Sequence, residues 1–322
     1  MADEGGLGVA VLAYGGGGEF RPLIASLEAE GVPASAIVLV HNQAAPGEAP
    51  PGAPEGVEVI ATGANPGYAG GMNVGVRRQL QRGAEQILVL THDARLHPGA
   101  LAALRGALAA QPGYGILGPA LVLAGTDTPF SFGGVTDAWG ANSHRKALPD
   151  VEFVRDVRTN STCVVPCDWV DGGTMLVRRQ VFERVGEFDE RFWGYCEEAD
   201  LCLRARRAGF EVGVVPEARA DQEPGMGKRV GAWAYLITRN GIEYAGRAAG
   251  RRGVFGTTGQ ALMVLALNLA RAALRRTHLR GGSAEEPWAL AVGTWRGIVD
   301  RLRGRWGAPP PDLPGLGDVR SD

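Results

Sequence analysis

The sequence predicts an α/β fold, a mostly parallel central sheet flanked by helices, followed by a C-terminal helical extension. Two observations carry this. Short apolar, β-rich runs alternate with stretches of helical spacing through the first part of the chain, and such alternation gives parallel strands covered by helices on both faces. Beyond Pro224 the pattern is helical.

Taken in order, Leu7 to Tyr14 is apolar and is followed by Gly15 to Gly18, then by Phe20, Leu23, Ile24 and Leu27 at helical spacing: a strand, a glycine loop and a helix. Ile37 to Val40, Val57 to Ile60 and Ile87 to Leu90 read as further short strands, with helices over Ala69 to Arg82 and Pro98 to Ala110. From Phe130 to Cys167 the pattern weakens into Gly, Asp, Asn and Thr, an irregular excursion of the kind that carries substrate contacts. Regularity returns at Trp169 to Arg178, with helices around Gln180 to Val185 and Glu198 to Ala208. The expected domains are 1–225 for the sheet, 226–306 for the helical region and 307–322 for a tail rich in Pro, Gly and Asp, expected to be disordered. Ligands on open sheets bind beyond the carboxyl ends of the strands, so chemistry is sought in the loops there.

Composition narrows the function. A chain of 322 residues, 45% hydrophobic, fills one large domain and a smaller appendage. Its 33 basic and 35 acidic residues leave a formal charge of −2, so no global field favours nucleic acid and any anion site is local. Cys163, Cys167, Cys196 and Cys202 match neither a zinc knuckle nor a redox CxxC and read as reduced, structural thiols. The N-terminus lacks a positive segment and the apolar run after it is short, so no signal peptide is expected and the expected location is cytoplasmic.

Three segments carry chemistry. Asn65 to Gly75 follows a strand and opens a helix; its glycines allow a ligand close to the backbone, and a helix N-terminus favours negative charge. It suits a diphosphate or sugar cradle, and equally a turn that packs a helix on the sheet. At Leu88 to Arg95 a buried strand delivers Asp93 at its carboxyl end, where a hard cation could take one carboxylate and complete its shell with substrate phosphate. The alternative is a helix cap. At Phe188 to Arg204, Glu197, Glu198 and Asp200 crowd within four positions, flanked by Phe188, Phe192 and Trp193. Crowding and apolar neighbours raise carboxylate pKa values toward those of a general base, and aromatic rings stack on sugars. An acidic start to a helix would explain the carboxylates without catalysis.

Together these segments resemble the family-2 glycosyltransferases of the GT-A fold, in the rhamnosyltransferase-like branch. The resemblance runs from about residue 8 to 245. It rests on Asn65 to Gly75, the strand ending at Asp93, Trp169-Val170-Asp171-Gly172-Gly173 with Arg178 and Arg179, Gly186 to Glu190, Glu197 to Leu201, Arg206 to Phe210, and Tyr235 with Arg239-Asn240. It implies a Rossmann-like GT-A domain and an inverting hexosyltransferase. The implied reaction moves a sugar, rhamnose or another deoxy-sugar, from a nucleoside-diphosphate donor to a hydroxyl of a glycan, lipid-linked or small-molecule acceptor. By the same resemblance Glu198 is the base, with Glu197 and Asp200 in support. Tyr14, His41, Asn65, Gly67, Gly70, Asn73, Asp171, Gly172 and Gly173 bind donor, and Trp193 and Tyr195 bind acceptor. Asp93 and Asp221 hold a divalent cation, Mg²⁺ or Mn²⁺.

Three positions depart from the family pattern. His41 stands where an acid usually contacts the nucleobase, Thr91 or His92 replaces the first acid of the DxD motif, and Asp221 stands where a metal-ligating His is common. Arg239 and Asn240 are expected to be structural or donor-supporting, since Arg cannot act as a base. Gln260 to Arg276 is apolar but interrupted by Asn268 and Arg271, and it is followed by further arginines. It suits peripheral contact with the inner face of a membrane, packing on its own domain, or a homodimer interface. Rival functional readings are a sugar-nucleotide-binding module with weak or no turnover, and a nucleotidylyltransferase, for which a basic activating loop near the N-terminus is missing.

Overall fold

The computed structural model describes residues 6–14, 21–43, 53, 55–148, 163–222, 230–276 and 285–314. The Gly15 to Gly18 loop and the last residues of the tail, 315–322, lie outside them.

The elements in order are β1 (Leu7–Tyr14), α1 (Arg21–Ala29), β2 (Ile37–Asn42), β3 (Glu58–Ala61), α2 (Gly67–Gln81), β4 (Gln86–Thr91), β5 (Arg95–Leu96), α3 (Ala100–Ala110), β6 (Tyr114–Leu123) and β7 (Pro129–Ser131). They continue with β8 (Gly134–Thr136), β9 (Asn142–His144), β10 (Val165–Pro166), β11 (Thr174–Arg178), α4 (Arg179–Val185), α5 (Glu197–Arg207), β12 (Glu211–Gln222), α6 (Val230–Arg276) and α7 (Glu285–Leu302). The main sheet has the order β10-β12-β6-β11-β4-β1-β2-β3.

Half of this sheet is as expected: β3, β2, β1 and β4 are all parallel. The other half is mixed, because β11 runs antiparallel to both β4 and β6. Two strands the sequence did not announce, β6 and β12, are its longest. Glycines disguise β6, and packing explains them: a Cβ at Gly118 would lie 2.8 Å from Val170 Cβ, and one at Gly115 2.6 Å from Val181 Cγ2. In β12, Pro216 and Glu217 sit at a register shift between Val215 and Arg219 that breaks the alternation a strand would show.

Alternate residues serve opposite faces, as the pleat requires. Val9, Val11, Leu39, Leu88, Leu90 and Leu117 join α1 and α3 in one core. On the other face α2 approaches the sheet through Gly71 and Gly75. A Cβ at Gly75 would lie 3.1 Å from Ala10 Cβ, and one at Gly71 would collide with the Asn42 side chain. These two glycines therefore serve helix packing.

The described chain divides into two compact units, Met1–Val135 with Ser143–Asp189 and Glu197–Pro224, and Thr136–Asn142 with Glu190–Cys196 and Gly225–Asp322. The second thus takes two short stretches from within the expected 1–225 domain. In it α6 breaks at Gly250 (φ 65°, ψ −148°), a backbone suited to glycine, which separates two helical arms. Residues 307–314, part of the tail expected to be disordered, include Leu313, buried against Tyr235 and Leu236. The four cysteines carry free thiols, and burial pushes that of Cys167 up to about 12.

Candidate functional site

Strand register decides which residues meet. Parallel pairing puts Tyr14 opposite Asn42, and Leu12 opposite Thr91, so the ends of β1, β2 and β4 share one edge. Because β11 is antiparallel, its start shares that edge, with Thr174 opposite Leu90. The end of β12 arrives there too, since a Cβ on Gly173 would lie 3.4 Å from Gln222 Oε1 and 3.5 Å from Thr91 Oγ1. Segments distant in sequence thereby converge on Asp171-Gly172-Gly173.

Tyr68, in the first turn of α2, donates a 2.5 Å hydrogen bond to the Gly172 carbonyl. Burial first, then the Glu197 and Glu198 carboxylates, raise its pKa well above the ordinary phenol value, so it is a donor and not a base. A Cβ on Gly172 would lie 3.0 Å from the Tyr68 hydroxyl and 3.4 Å from Glu198 Cβ, which places Glu198 at this centre. Glu197 is enclosed, and burial followed by repulsion from Glu198 raises its pKa well above the usual carboxylate range. Glu198 is only half-buried. Of the two, Glu198 is the less buried.

Asp171 is held from the side. Its Oδ2 accepts from Ser131 Oγ at 2.9 Å, and His144 Nδ1 lies 3.3 Å from its Oδ1 and 3.1 Å from Ser131 Oγ. The imidazole is itself packed edge-on to Trp169 and tilted against Phe130. Burial raises the Asp171 pKa, while His144, Ser131 and Lys146 pull it back. Nothing in the irregular 130–167 sequence singled out Ser131 or His144. Their role follows from β7 pairing with β6 and from the main-chain bonds between Phe132, Gly133 and Arg145.

At the α2 end of the edge, the buried Asn42 amide donates to the Gly67 carbonyl at 2.9 Å, and the Gly67 N–H donates to Asn65 Oδ1 at 2.9 Å. This fixes the turn that opens α2, where Gly67 has φ 78°. Tyr14 is half-buried at the end of β1, and Gly70 is buried in the first turn of α2. His41 is buried in β2, its carbonyl accepting from the Thr62 N–H.

Two of the expected site residues make structural bonds. Asn73 is buried, donating to the Phe188 carbonyl at 2.9 Å and accepting from the Phe188 N–H at 3.0 Å, a clamp that fixes the 188 turn. Asp200 is fully buried and takes the Arg204 Nε at 2.7 Å, while the same guanidinium donates to the carbonyls of Val185 and Glu187. It ties α5 to the turn before it; the acidic helix start explains Asp200 without catalysis.

In the second unit the 190–196 stretch is strained: Trp193, Tyr195 and Cys196 all have φ between 63° and 71°, unusual for bulky residues. Asn240 holds it, donating to the carbonyls of Phe192, Gly194 and Tyr195 at 2.7–2.9 Å. Arg239, also buried, donates to Phe192 and Gly307 carbonyls. Trp193, expected to stack on acceptor, packs against the cluster of Tyr235, Leu236 and Leu313; Tyr195 remains exposed.

The donor set for a cation is thin. Asp221 is paired with His97 Nε2 at 2.8 Å, and among the described residues no three His, Cys, Asp or Glu side chains gather as a metal cage. His97, a partner the sequence did not suggest, comes from the loop that β5 lays against β12. Asp93 lies in the turn after β4, partly exposed. Such a set fits a hard cation that takes one protein carboxylate and the rest of its shell from a diphosphate, not one held by protein alone.

Residues 86–292 match the family described as Glycosyl transferase family group 2. Among curated relatives the chain is 27% identical over 235 residues to the N-acetylglucosaminyl-diphospho-decaprenol L-rhamnosyltransferase of Mycobacterium tuberculosis, covering 66% of this chain and 74% of that one. It is 28% identical over 162 residues to the low-salt glycan biosynthesis hexosyltransferase Agl10 of Haloferax volcanii, covering 49% of this chain and 48% of that one. The chain thus spans about half the length of the latter. A 53-residue stretch is 47% identical to the rhamnosyltransferase WbbL of Escherichia coli, covering 16% of this chain and 20% of that one. In three dimensions it is similar to GalNAc-T7, solved with UDP, GalNAc and Mn²⁺, with a TM-score of 0.53, 14% identity, and coverage of 73% of this chain and 48% of that one. That likeness speaks to the fold, which is of GT-A type.

Proposed function

Since the chain belongs to the glycosyl transferase family group 2, with a match spanning 86–292, we propose that it transfers a sugar, rhamnose or a related deoxy-sugar, from a nucleoside diphosphate to an acceptor hydroxyl with inversion. The observation that carries this is the meeting of Glu198, Tyr68 and the Gly172 backbone beside Asp171 at the carboxyl edge of the sheet. Rhamnose is favoured by the named activities of the relatives from M. tuberculosis and E. coli.

In this reading the donor diphosphate lies over the Asn65 to Gly70 turn, where the N-terminus of α2 favours negative charge. Asp93 would hold a Mg²⁺ or Mn²⁺ ion, and the ion's contribution when bound is to offset charge on the departing diphosphate. Asp171, fixed by Ser131 and His144, accepts a hydroxyl of the donor sugar. Tyr68 keeps the Gly172 carbonyl turned toward α2 and so fixes the backbone past which the sugar must fit. Glu198 takes the proton from the acceptor hydroxyl as its oxygen attacks the anomeric carbon, and the bond to the diphosphate breaks on the opposite side. Glu197, whose pKa is raised by burial and by its neighbour Glu198, holds its proton more tightly than an ordinary carboxylic acid beside the base.

A lipid-linked acceptor at the inner face of a membrane suits the wording "diphospho-decaprenol" in a relative's name. The proposal is tested by incubating the chain with dTDP-rhamnose and other nucleotide sugars in Mn²⁺ and scoring nucleoside diphosphate release with and without acceptor lipid. Stoichiometric binding without release under every pairing would favour the binding-module reading instead.

A further inference from the structure

The arm of α6 beyond Gly250 is built inside out. The side turned into the protein is small or polar, with Gly253, Ala261, Asn268 and Ala272 buried at helical spacing. The side turned outward carries Phe255, Leu262, Met263, Leu267, Leu269 and Leu274, each 43–69% exposed. A helix on a water-soluble surface has the opposite arrangement. Small residues at the packed stripe with aliphatic residues facing away is the pattern of helices whose surroundings are hydrocarbon. Asn268 sharpens the contrast, since its Oδ1 is buried without a hydrogen-bond partner while leucines on either side of it in sequence face out.

Charge identifies the surroundings. Between Glu243 and Glu285 the sequence has no Asp or Glu and seven arginines, in a chain whose overall charge is −2. Arg251, Arg252 and Arg271 are exposed at the two ends of the apolar surface. An apolar stripe bounded by cations alone complements an anionic lipid surface, where aliphatic chains enter the acyl boundary and guanidinium groups meet phosphate. On α7, Trp288 and Trp295 lie seven residues apart on one face and are both exposed, a residue type that favours the headgroup level.

The same contacts decide between lying on the bilayer and crossing it. Ala261 packs with Ile242 and Ile298, and the elements carrying those residues also hold the Arg301–Glu243 ion pair at 2.8 Å. One side of the arm is therefore committed to a charged protein surface and cannot be ringed by lipid, although an 18-residue window reaches a mean hydropathy of 1.3.

We propose that residues 251–274 form a monotopic membrane-docking helix, seated by its Phe255–Leu274 apolar face on an anionic bilayer and clamped there by the flanking arginines. This deepens the membrane-side reading above but does not depend on sugar transfer. The test uses the full chain, without donor or acceptor, floated with phosphatidylcholine vesicles lacking or containing phosphatidylglycerol, beside light-scattering mass measurement without lipid. The expected result is flotation with phosphatidylglycerol vesicles that weakens as salt rises. Leu262→Glu with Leu267→Glu, both at exposed positions, should lower the partition coefficient at least about tenfold while nucleotide binding is retained. Absence from anionic vesicles, or equal flotation with and without phosphatidylglycerol, overturns it. So does a lipid-free dimer that the double variant converts to monomer in a chain that ignores vesicles, which assigns the face to a second copy.

Discussion

The Tyr68 hydroxyl and the Gly172 carbonyl, 104 residues apart in sequence, are joined by a 2.5 Å hydrogen bond. The bond couples the first turn of α2 to the loop that enters β11, the two backbone segments between which donor and acceptor are proposed to meet. Tyr68→Phe should cost about 1 kcal/mol of stability, the usual net worth of such a bond, and about tenfold or more in transfer rate. Because the phenol stays protonated, the basic limb of the pH profile should not move. A limb that moves with Phe would make Tyr68 a titrating participant.

Glu198→Gln should bind donor normally and transfer about 10² to 10⁴ times more slowly, the range for loss of a positioned base. Single-turnover rates with saturating donor measure this directly. Near-normal turnover would remove Glu198 from the chemistry.

Glu197→Gln is expected to behave oppositely. Its folded pKa is raised, so the folded state holds the proton more tightly than the unfolded chain. Stability then declines as pH rises from the ordinary carboxylate value through the raised one. The amide cannot ionise, so the variant should melt higher than the parent at neutral pH, by a few degrees on the scale of about 2–4 °C per kcal/mol. The difference should shrink toward acid. Thermal melts across pH check it, and a variant less stable at every pH would contradict a raised Glu197 pKa.

Asp93→Asn should abolish the dependence of activity on divalent cation together with most of the activity, read by titrating Mn²⁺ into metal-stripped protein. Full activity of the parent in excess chelator would sink the cation's role.

His144→Gln removes a group that favours the Asp171 carboxylate. The Asp171 pKa should then rise further and carry the acid limb of donor affinity upward. Isothermal titration with nucleoside diphosphate sugar at several pH values measures the shift; an unmoved limb would detach Asp171 from donor recognition.

The parallel half of the sheet could be read because β1, β2 and β4 are continuous apolar runs, and Asp93 and the Glu197–Glu198 pair could be placed because they end or begin such elements. β6 could not, since Gly115 and Gly118 look like breakers until Val170 and Val181 are seen packed against them. Nor could the structural bonds of Asn73 and Asp200 be read: spacing shows that a polar group is present, not that Phe188 or Arg204 meets it. Ser131, His144 and His97 were invisible for the complementary reason. Each acquires its partner only through pairing of strands distant in sequence.

The antiparallel β11 sets the order in which this domain can be completed. As the chain emerges, β4 and β6 are made first, yet no described residue pairs them directly; the space between them belongs to residues 174–178. Until those residues are delivered, each strand presents an open edge to solvent and to neighbouring chains. Forms ending before residue 174 therefore leave both strands open, and β6 keeps its other edge open until β12 is delivered, so chaperone dependence should fall in two steps, past β11 and again past β12.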